Sequence, residues 1–337
     1  MNTPLITICT VNYNGLNYLK DCFNSIKKST YPLDKIETIM VDNASTDGSA
    51  GYVRKNLPWV KVLALDKNHG FAKGNNIGVE NAQGEYVVFL NNDTVATPEF
   101  IKSLVDVMEK HKDIGVAGSK LLFFDKPEKI NSAGANITFM GGGYDIGFLD
   151  DDSEKYNIPG KRGSVCAAAM IVRRDEFLSF GGFDENYFMY SEDTDLCWRY
   201  WLYGKKVEYV PDSIVYHKFG GTSGMYLHTP LRVFYVTRNA LFNIIKNYEA
   251  HNILFPLGFS FLYHLLKVFY FLVSLKFSLS LSMLKAYGSF LRHLPKTIAK
   301  RKKIRDNRKI KDSYLFNNSI ILPFHIVFKE FWRLLKV

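Results

Sequence analysis

A doubly wound α/β fold, a Rossmann-like and mostly parallel sheet, is predicted for the first 240 residues of this 337-residue chain. Three observations predict it. Short β-branched runs alternate with amphipathic helical patterns, Asn, Asp and Gly turns bound the runs, and the polar clusters fall at the ends of the strand-like runs. Strands covered on both faces read as continuous apolar stretches, and ligands of such sheets bind beyond the carboxyl ends of the strands.

The elements follow in order. Residues 5–11 (LITICTV) read as a buried strand and 17–28 as an amphipathic helix. Strands at 36–41, 60–65 and 86–90 alternate with helices at 49–56, 73–82 and 98–111, and 115–118 reads as a fifth, short strand. Residues 120–163 read as an irregular connection, glycine-rich at 141–143 and acidic at 150–152, and are expected to form a lid or acceptor-side insertion rather than core. A strand (AAAMIV from Ala167), the turn GGFDENYF and the helix EDTDLCWRYWLYG come next, followed by short strands at 207–209 and 214–216.

Beyond about residue 227 the pattern changes. A mixed helix over 229–250 precedes an almost uniformly apolar stretch, 253–291, interrupted by His264, Lys267, Lys276 and Lys285. The basic run KTIAKRKKIRDNRKIK and an aromatic-rich end complete the chain. The expected division is an α/β domain over 1–240 and a helical extension, apolar and then polybasic, over 241–337.

Charge follows that division. Residues 292–337 hold 13 basic and 3 acidic residues and so carry the whole net charge of +10, leaving a neutral body. With 47% hydrophobic and 15% aromatic residues, the chain is not a disordered one. No recognised motif or aromatic platform accompanies KRKKIRDNRK, so no nucleic-acid partner is expected. Cys9, Cys22, Cys166 and Cys197 lack any ligand-like spacing, which argues against a zinc module or disulfide framework. The N-terminal residues lack a basic n-region and a long apolar run, so the body reads as cytosolic.

The stretch 253–275 has the length of a spanning helix, about 20 residues. Lys267 near its middle makes spanning cost ~2.5–3.5 kcal/mol, and the following basic run suits anionic lipid. Helices lying in a membrane interface are therefore expected. A soluble helical subdomain packed on the body is the alternative.

Several clusters point to chemistry. VDNASTDGS puts Asp42 at the end of the second strand, where a carboxylate suits a nucleobase N–H or a sugar hydroxyl; equally it is a turn with Asp47 as helix cap. NNDT (91–94) ends the fourth strand, and its carboxylate suits a hard divalent cation beside phosphates; a strand-to-helix turn capped by Thr94 or Thr97 is the other reading. SEDTDLCWR opens a helix with Glu192, Asp193 and Asp195, acids that the helix dipole favours and that a general base requires. His217, in VYHKFGGTSG, is an ordinary histidine unless it faces the same cleft, where it could complete a metal site. NHGFAKGNNIG is a glycine-punctuated turn into a helix, offering backbone N–H groups to an anion. Neither a P-loop nor a dinucleotide fingerprint is present.

Taken in order, VNYNG, VDNASTDGS, NHGFAKGNNIG, FLNNDT, GGFDENYFMYSEDTDLCWR and VYHKFGGTSG resemble the family 2 inverting glycosyltransferases of GT-A fold, most closely their rhamnosyltransferase-type branch, over residues 4–240. The resemblance implies that Asp42 contacts the pyrimidine of a nucleotide-diphosphate sugar. Asn12, Lys73, Asn76, Asn92, Glu192 and Arg199 would line the same donor site, Lys73 beside the diphosphate and Asn92 near the ribose. Asn91-Asn92-Asp93 stands where the family has D-x-D, so Asp93 would bind Mg²⁺ or Mn²⁺, with His217 reaching the metal. Asp193 matches the catalytic base. A membrane-attached tail would suit a lipid-linked or glycan acceptor, peripheral placement on the cytoplasmic side of a bacterial inner membrane, and assembly of a surface polysaccharide such as O-antigen or capsule. The donor implied first is dTDP-rhamnose, with a UDP-hexose as the rival. A non-catalytic nucleotide-sugar-binding subunit is disfavoured because Asp42, Asp93 and Asp193 are all retained. A nucleotidyltransferase would want a glycine-rich, arginine-containing loop after the first strand, which residues 13–17 do not supply.

Overall fold

The structure, a computed structural model, describes residues 3–218 and 229–328. The FGGTSG end of the His217 cluster, residues 219–224, and the aromatic-rich terminus after Phe328 lie outside the described residues.

The chain runs β1 (Ile6–Asn12), α1 (Leu16–Ile26), β2 (Ile36–Asp42), α2 (Ser49–Asn56), β3 (Lys61–Ala64), α3 (Gly70–Glu80), β4 (Tyr86–Leu90), β5 (Thr94–Ala96) and α4 (Phe100–Lys110). Then come β6 (Ile114–Phe123), β7 (Ile130–Ser132), β8 (Ala135–Thr138), β9 (Gly143–Asp145), β10 (Gly160–Lys161), β11 (Ala169–Arg173), α5 (Arg174–Ser179), α6 (Glu192–Leu202) and β12 (Lys206–His217). The C-terminal part holds α7 (Pro230–Asn247), α8 (Leu254–Val273), α9 (Phe277–Asn307), α10 (Asp312–Asn317) and β13 (Ile321–Leu322).

The central sheet has the order β10-β12-β6-β11-β4-β1-β2-β3. β4, β1, β2 and β3 are parallel, and β11 is inserted antiparallel between β4 and β6. Its two faces are packed by alternate residues of each strand. Tyr86, Val88 and Leu90 of β4 join Leu19, Phe23, Val53 and Leu104 from α1, α2 and α4. Val87 and Phe89 join Val79, Phe177, Leu196 and Trp198 from α3, α5 and α6. The predicted doubly wound sheet is the one observed.

Two expectations change. Residues 120–163 are built of short strands rather than an irregular lid: β7 pairs with β6, and β8 and β9 form a second sheet with β13. Ile130, Ile137 and Phe139 are buried there, so part of the insertion is core. The two short strands expected at 207–216 are one strand, β12, whose register slips between Val210 and Ile214. Pro211 sits at that slip, where a missing N–H is tolerated.

The expected division at 240–241 falls inside α7, a single uninterrupted helix. The apolar stretch 253–291 breaks at 274–276 into the hairpin of α8 and α9. The basic run continues α9 and is partly spent internally, for Lys300 pairs with Asp184 and Arg308 with Asp312.

Candidate active site

The parallel register of β1 and β2 sets Asn12 beside Asp42 at their carboxyl ends. Asn12 Nδ2 donates to Asp42 Oδ1 at 2.9 Å and to Ser45 Oγ at 3.1 Å, and Asn92 Nδ2 donates to Asn12 Oδ1 at 2.7 Å. Three predicted donor-site residues from three strand ends are thus one buried chain. Gly15 permits it: a Cβ there would stand 2.1 Å from Asn92 Nδ2. Asp42 also accepts the Ser45 amide, as in the turn reading, and its carboxylate keeps acceptor capacity beyond these bonds. Asp47 accepts the amides of both Leu16 and Ser49, tying together the starts of α1 and α2.

Asp93 and His217 meet because β5 pairs with the end of β12, Thr94 opposite His217. This pairing replaces the expected Thr cap of α4, since Thr97 Oγ1 donates instead to the Ile214 carbonyl. His217 Nδ1 lies 2.9 Å from Asn131 Oδ1, a contact that fixes the plane of the ring. Its Nε2 lies 3.3 Å from Asp93 Oδ1. That oxygen is buried and accepts no hydrogen bond among the described residues. A carboxylate and an imidazole held this close are a fitting donor pair for a divalent ion. Among the described residues no group of three or more His, Cys, Asp or Glu side chains converges in metal-binding geometry.

At the start of α6 three acids have three environments. Asp195 is fully buried against Arg199 (2.9 Å) and Lys246 (2.7 Å), whose charges outweigh desolvation and hold its carboxyl low. Glu192 is buried and its Oε2 accepts no hydrogen bond among the described residues; burial and the adjacent Asp193 charge push it well up. Asp193 is half-buried and accepts the amides of Thr194 (2.7 Å) and Ala167 (3.3 Å). Desolvation raises its carboxyl despite those bonds. A half-buried carboxylate at a helix start is the kind of group that proton abstraction from a hydroxyl requires.

Other predicted residues lie elsewhere. Arg199 is a correction: Nε goes to Asp195, and its other nitrogens go to the carbonyls of Phe180 (2.9 Å) and Gly182 (2.7 Å), all in the core. A guanidinium so committed has no reach to a ligand. Asn76 likewise spends its amide on the backbone of Phe183, accepting its N–H at 2.9 Å and donating to its carbonyl at 2.8 Å. Lys73 is half-exposed and pairs with Glu185 at 3.3 Å. The start of α3 is no open anion cradle, because the amides of Phe71 and Ala72 donate to the Phe188 carbonyl and that of Gly70 to Asn68 Oδ1.

Sequence reasoning missed Asp145 on β9. It accepts Ser132 Oγ at 2.8 Å and lies within electrostatic reach of Asp193, Arg232 and His217. Desolvation by the surrounding walls, then the Asp193 charge, push its carboxyl up to about 6, against the Ser132 bond and the charges of Arg232 and His217. The only local signal was an acid after a glycine run. Asn131, which orients His217, had no signal of its own.

A mixed sheet of this order, with Asp42, Asp93 and His217 at strand ends along one edge, is that of the GT-A fold. Residues 7–177 match the family described as Glycosyl transferase family 2, and the chain belongs to that family. It is 28% identical over 198 residues to the dTDP-rhamnosyl transferase RfbF of Shigella flexneri, covering 56% of this chain and 64% of that one. It is 32% identical over 176 residues to the putative teichuronic acid biosynthesis glycosyltransferase TuaG of Bacillus subtilis (strain 168), covering 50% and 63%. Each match spans less than two thirds of the relative's length. The fold is shared with the mannosyltransferase PcManGT of Pyrobaculum calidifontis, solved with GDP-Man and Mn²⁺, at TM-score 0.55 and 16% identity, covering 88% of this chain and 76% of that one.

Proposed function

We propose that the chain is an inverting glycosyltransferase that moves a sugar, rhamnose from dTDP-rhamnose in the first instance, from a nucleotide-diphosphate donor to a glycan or lipid-linked acceptor in bacterial surface polysaccharide assembly. The observation that carries this reading is the Asp93–His217 pair, set at the same sheet edge as the Asn12–Asp42–Asn92 chain. The choice of rhamnose rests on likeness to the Shigella flexneri relative.

In this reading Asp42 accepts hydrogen bonds from the base, with Asn12 and Asn92 fixing its geometry. Asp93 and His217 hold Mg²⁺ or Mn²⁺, which when bound supplies Lewis-acid stabilisation of the departing diphosphate. Asp193 removes the proton of an acceptor hydroxyl as that oxygen attacks the anomeric carbon. The bond to the diphosphate oxygen breaks on the opposite face, so one displacement inverts the centre. Asp145, within electrostatic reach of Asp193, accepts a second acceptor hydroxyl.

The α8–α9 hairpin supports a membrane-bound acceptor. Its pattern is inside out: Pro256, Ser260, His264 and Phe271 face inward, while Phe261, Leu262, Leu265, Leu266 and Phe269 face outward and are more than half exposed. Among the described residues one helical stretch, Ala250–Val273, is long and apolar enough to cross a membrane. Outward apolar and inward polar residues fit a lipid environment. Lys296, Lys302, Lys303 and Arg305 remain exposed to meet anionic headgroups on the cytoplasmic side.

The test is thermal stability of the full chain with dTDP, UDP, GDP, ADP and CMP, each with and without Mn²⁺. A ligand at 100 times its Kd stabilises by ~2.7 kcal/mol. A metal-dependent shift with dTDP is expected. A shift with UDP alone moves the donor to a UDP-hexose, and no shift with any nucleotide contradicts the reading.

A further inference from the structure

The turn leading into Glu192 and Asp193 is strained. Phe188, Tyr190 and Ser191 all have left-handed backbone, at φ 64°, 67° and 62°, although none is glycine. Bulky side chains rarely adopt this conformation, and such residues persist only where their surroundings over-determine them. Here the surroundings come from α7, beyond the segment matched to the family.

Asn239 is fully buried, and its Nδ2 donates to three turn carbonyls: Tyr187 at 3.2 Å, Met189 at 3.0 Å and Tyr190 at 2.7 Å. Arg238 fixes the amide by donating from Nε to Asn239 Oδ1 at 3.0 Å, and adds bonds to the carbonyls of Asn186 and Tyr187. Tyr235 stacks on Phe188 with ring centroids 5.4 Å apart. From the other side the Phe188 carbonyl accepts Phe71 and Ala72 of α3. The turn is clamped between a C-terminal helix and the first half of the sheet.

We propose that Asn239 is a positioning residue for the Glu192–Asp193 pair. It keeps an otherwise unfavourable turn in the one conformation that aims Asp193 across the cleft toward the Ala167 amide. The inference rests on the reading of Asp193 as base. It makes α7 part of the catalytic apparatus, where composition alone would assign much of it to an appendage.

The test compares the full chain with Asn239→Ala, Asn239→Asp and Asp193→Asn, each supplied with dTDP-rhamnose and with UDP-glucose, and follows hydrogen exchange of the backbone at 188–195. Asn239→Ala should lower kcat by about 10²-fold, the scale of a displaced reacting group, with KM for the donor unchanged. Exchange should quicken at 189–193 and stay as in wild type across β1, β2 and β4. Asn239→Asp, which keeps the shape but turns an oxygen on the three carbonyls, should behave alike and decides the matter if the alanine variant does not fold. Wild-type kcat per folded molecule, or unchanged exchange in the turn, overturns the inference. Full transfer by Asp193→Asn would instead remove the base reading beneath it. Exchange needs no donor, so its outcome does not depend on which sugar is used.

Discussion

His217 Nε2 stands 3.3 Å from Asp93 Oδ1, and strand register rather than sequence proximity puts it there. Asn131 fixes the ring from behind. Partners that orient a ligating histidine typically matter ~10–100-fold for metal affinity. Asn131→Ala should therefore raise the Mn²⁺ concentration needed for the nucleotide-dependent thermal shift by a factor on that scale, and Asp93→Asn should abolish the metal dependence. An unchanged Mn²⁺ titration in both variants would exclude this pair as the metal's holders.

Glu192 gives a pH signature. Its carboxyl is raised in the folded chain by burial and by Asp193. A raised group contributes stability that is full below the unfolded value, about 4.3, and is lost as pH rises toward the folded value. Glu192→Gln removes this loss. The variant should match wild type in urea unfolding at low pH and become progressively more stable than it as pH rises above that value. A constant difference across pH would contradict the assigned environment.

Lys246 bridges Asp184 at 2.6 Å and Asp195 at 2.7 Å, all three groups buried. Burial alone would raise Asp184, but Lys246 and Lys300 outweigh it and hold the carboxyl far below its usual range. Lys246→Met should cost about 3–5 kcal/mol in urea unfolding, as expected when one partner of a buried pair is removed. In wild type this contribution is present above about pH 3.9 and disappears as acid protonates Asp184 and Asp195.

The outward face of α8 predicts membrane binding. Phe261→Asp, Leu265→Asp and Phe269→Asp together should abolish cosedimentation with vesicles containing anionic lipid. The substitutions fall on exposed positions, so the thermal midpoint in detergent should stay near wild type. Vesicle binding equal to wild type would show that this face is not the lipid contact.

Much of the fold was legible because its signal is local. Apolar runs such as 86–90 and the turns after them report directly on strands and strand ends, and Asp42 and the Asn91–Asp93 cluster followed from that, whereas Asn12 came only with the family resemblance. What was not legible depends on long-range pairing. Asp145 comes within electrostatic reach of Asp193 only because the 120–163 segment folds into small strands, one sheet of which is completed by β13 from the far end of the chain. The resemblance offered Arg199 as a donor ligand, but helical spacing puts it on the face of Asp195, four residues back, turned into the core. The amides at the start of α3 looked free because nothing local shows that the Phe188 carbonyl will occupy them.

The central claim is that Asp193 is the base of an inverting transfer, and one assay reaches it directly. Transfer from dTDP-rhamnose to a glycan acceptor should be measured for wild type and Asp193→Asn with Mn²⁺, alongside dTDP binding. The variant should lose about 10²–10⁴-fold in transfer rate, the scale of general-base catalysis, while binding dTDP as wild type does. Transfer at the wild-type rate by Asp193→Asn, with binding intact, would contradict the account.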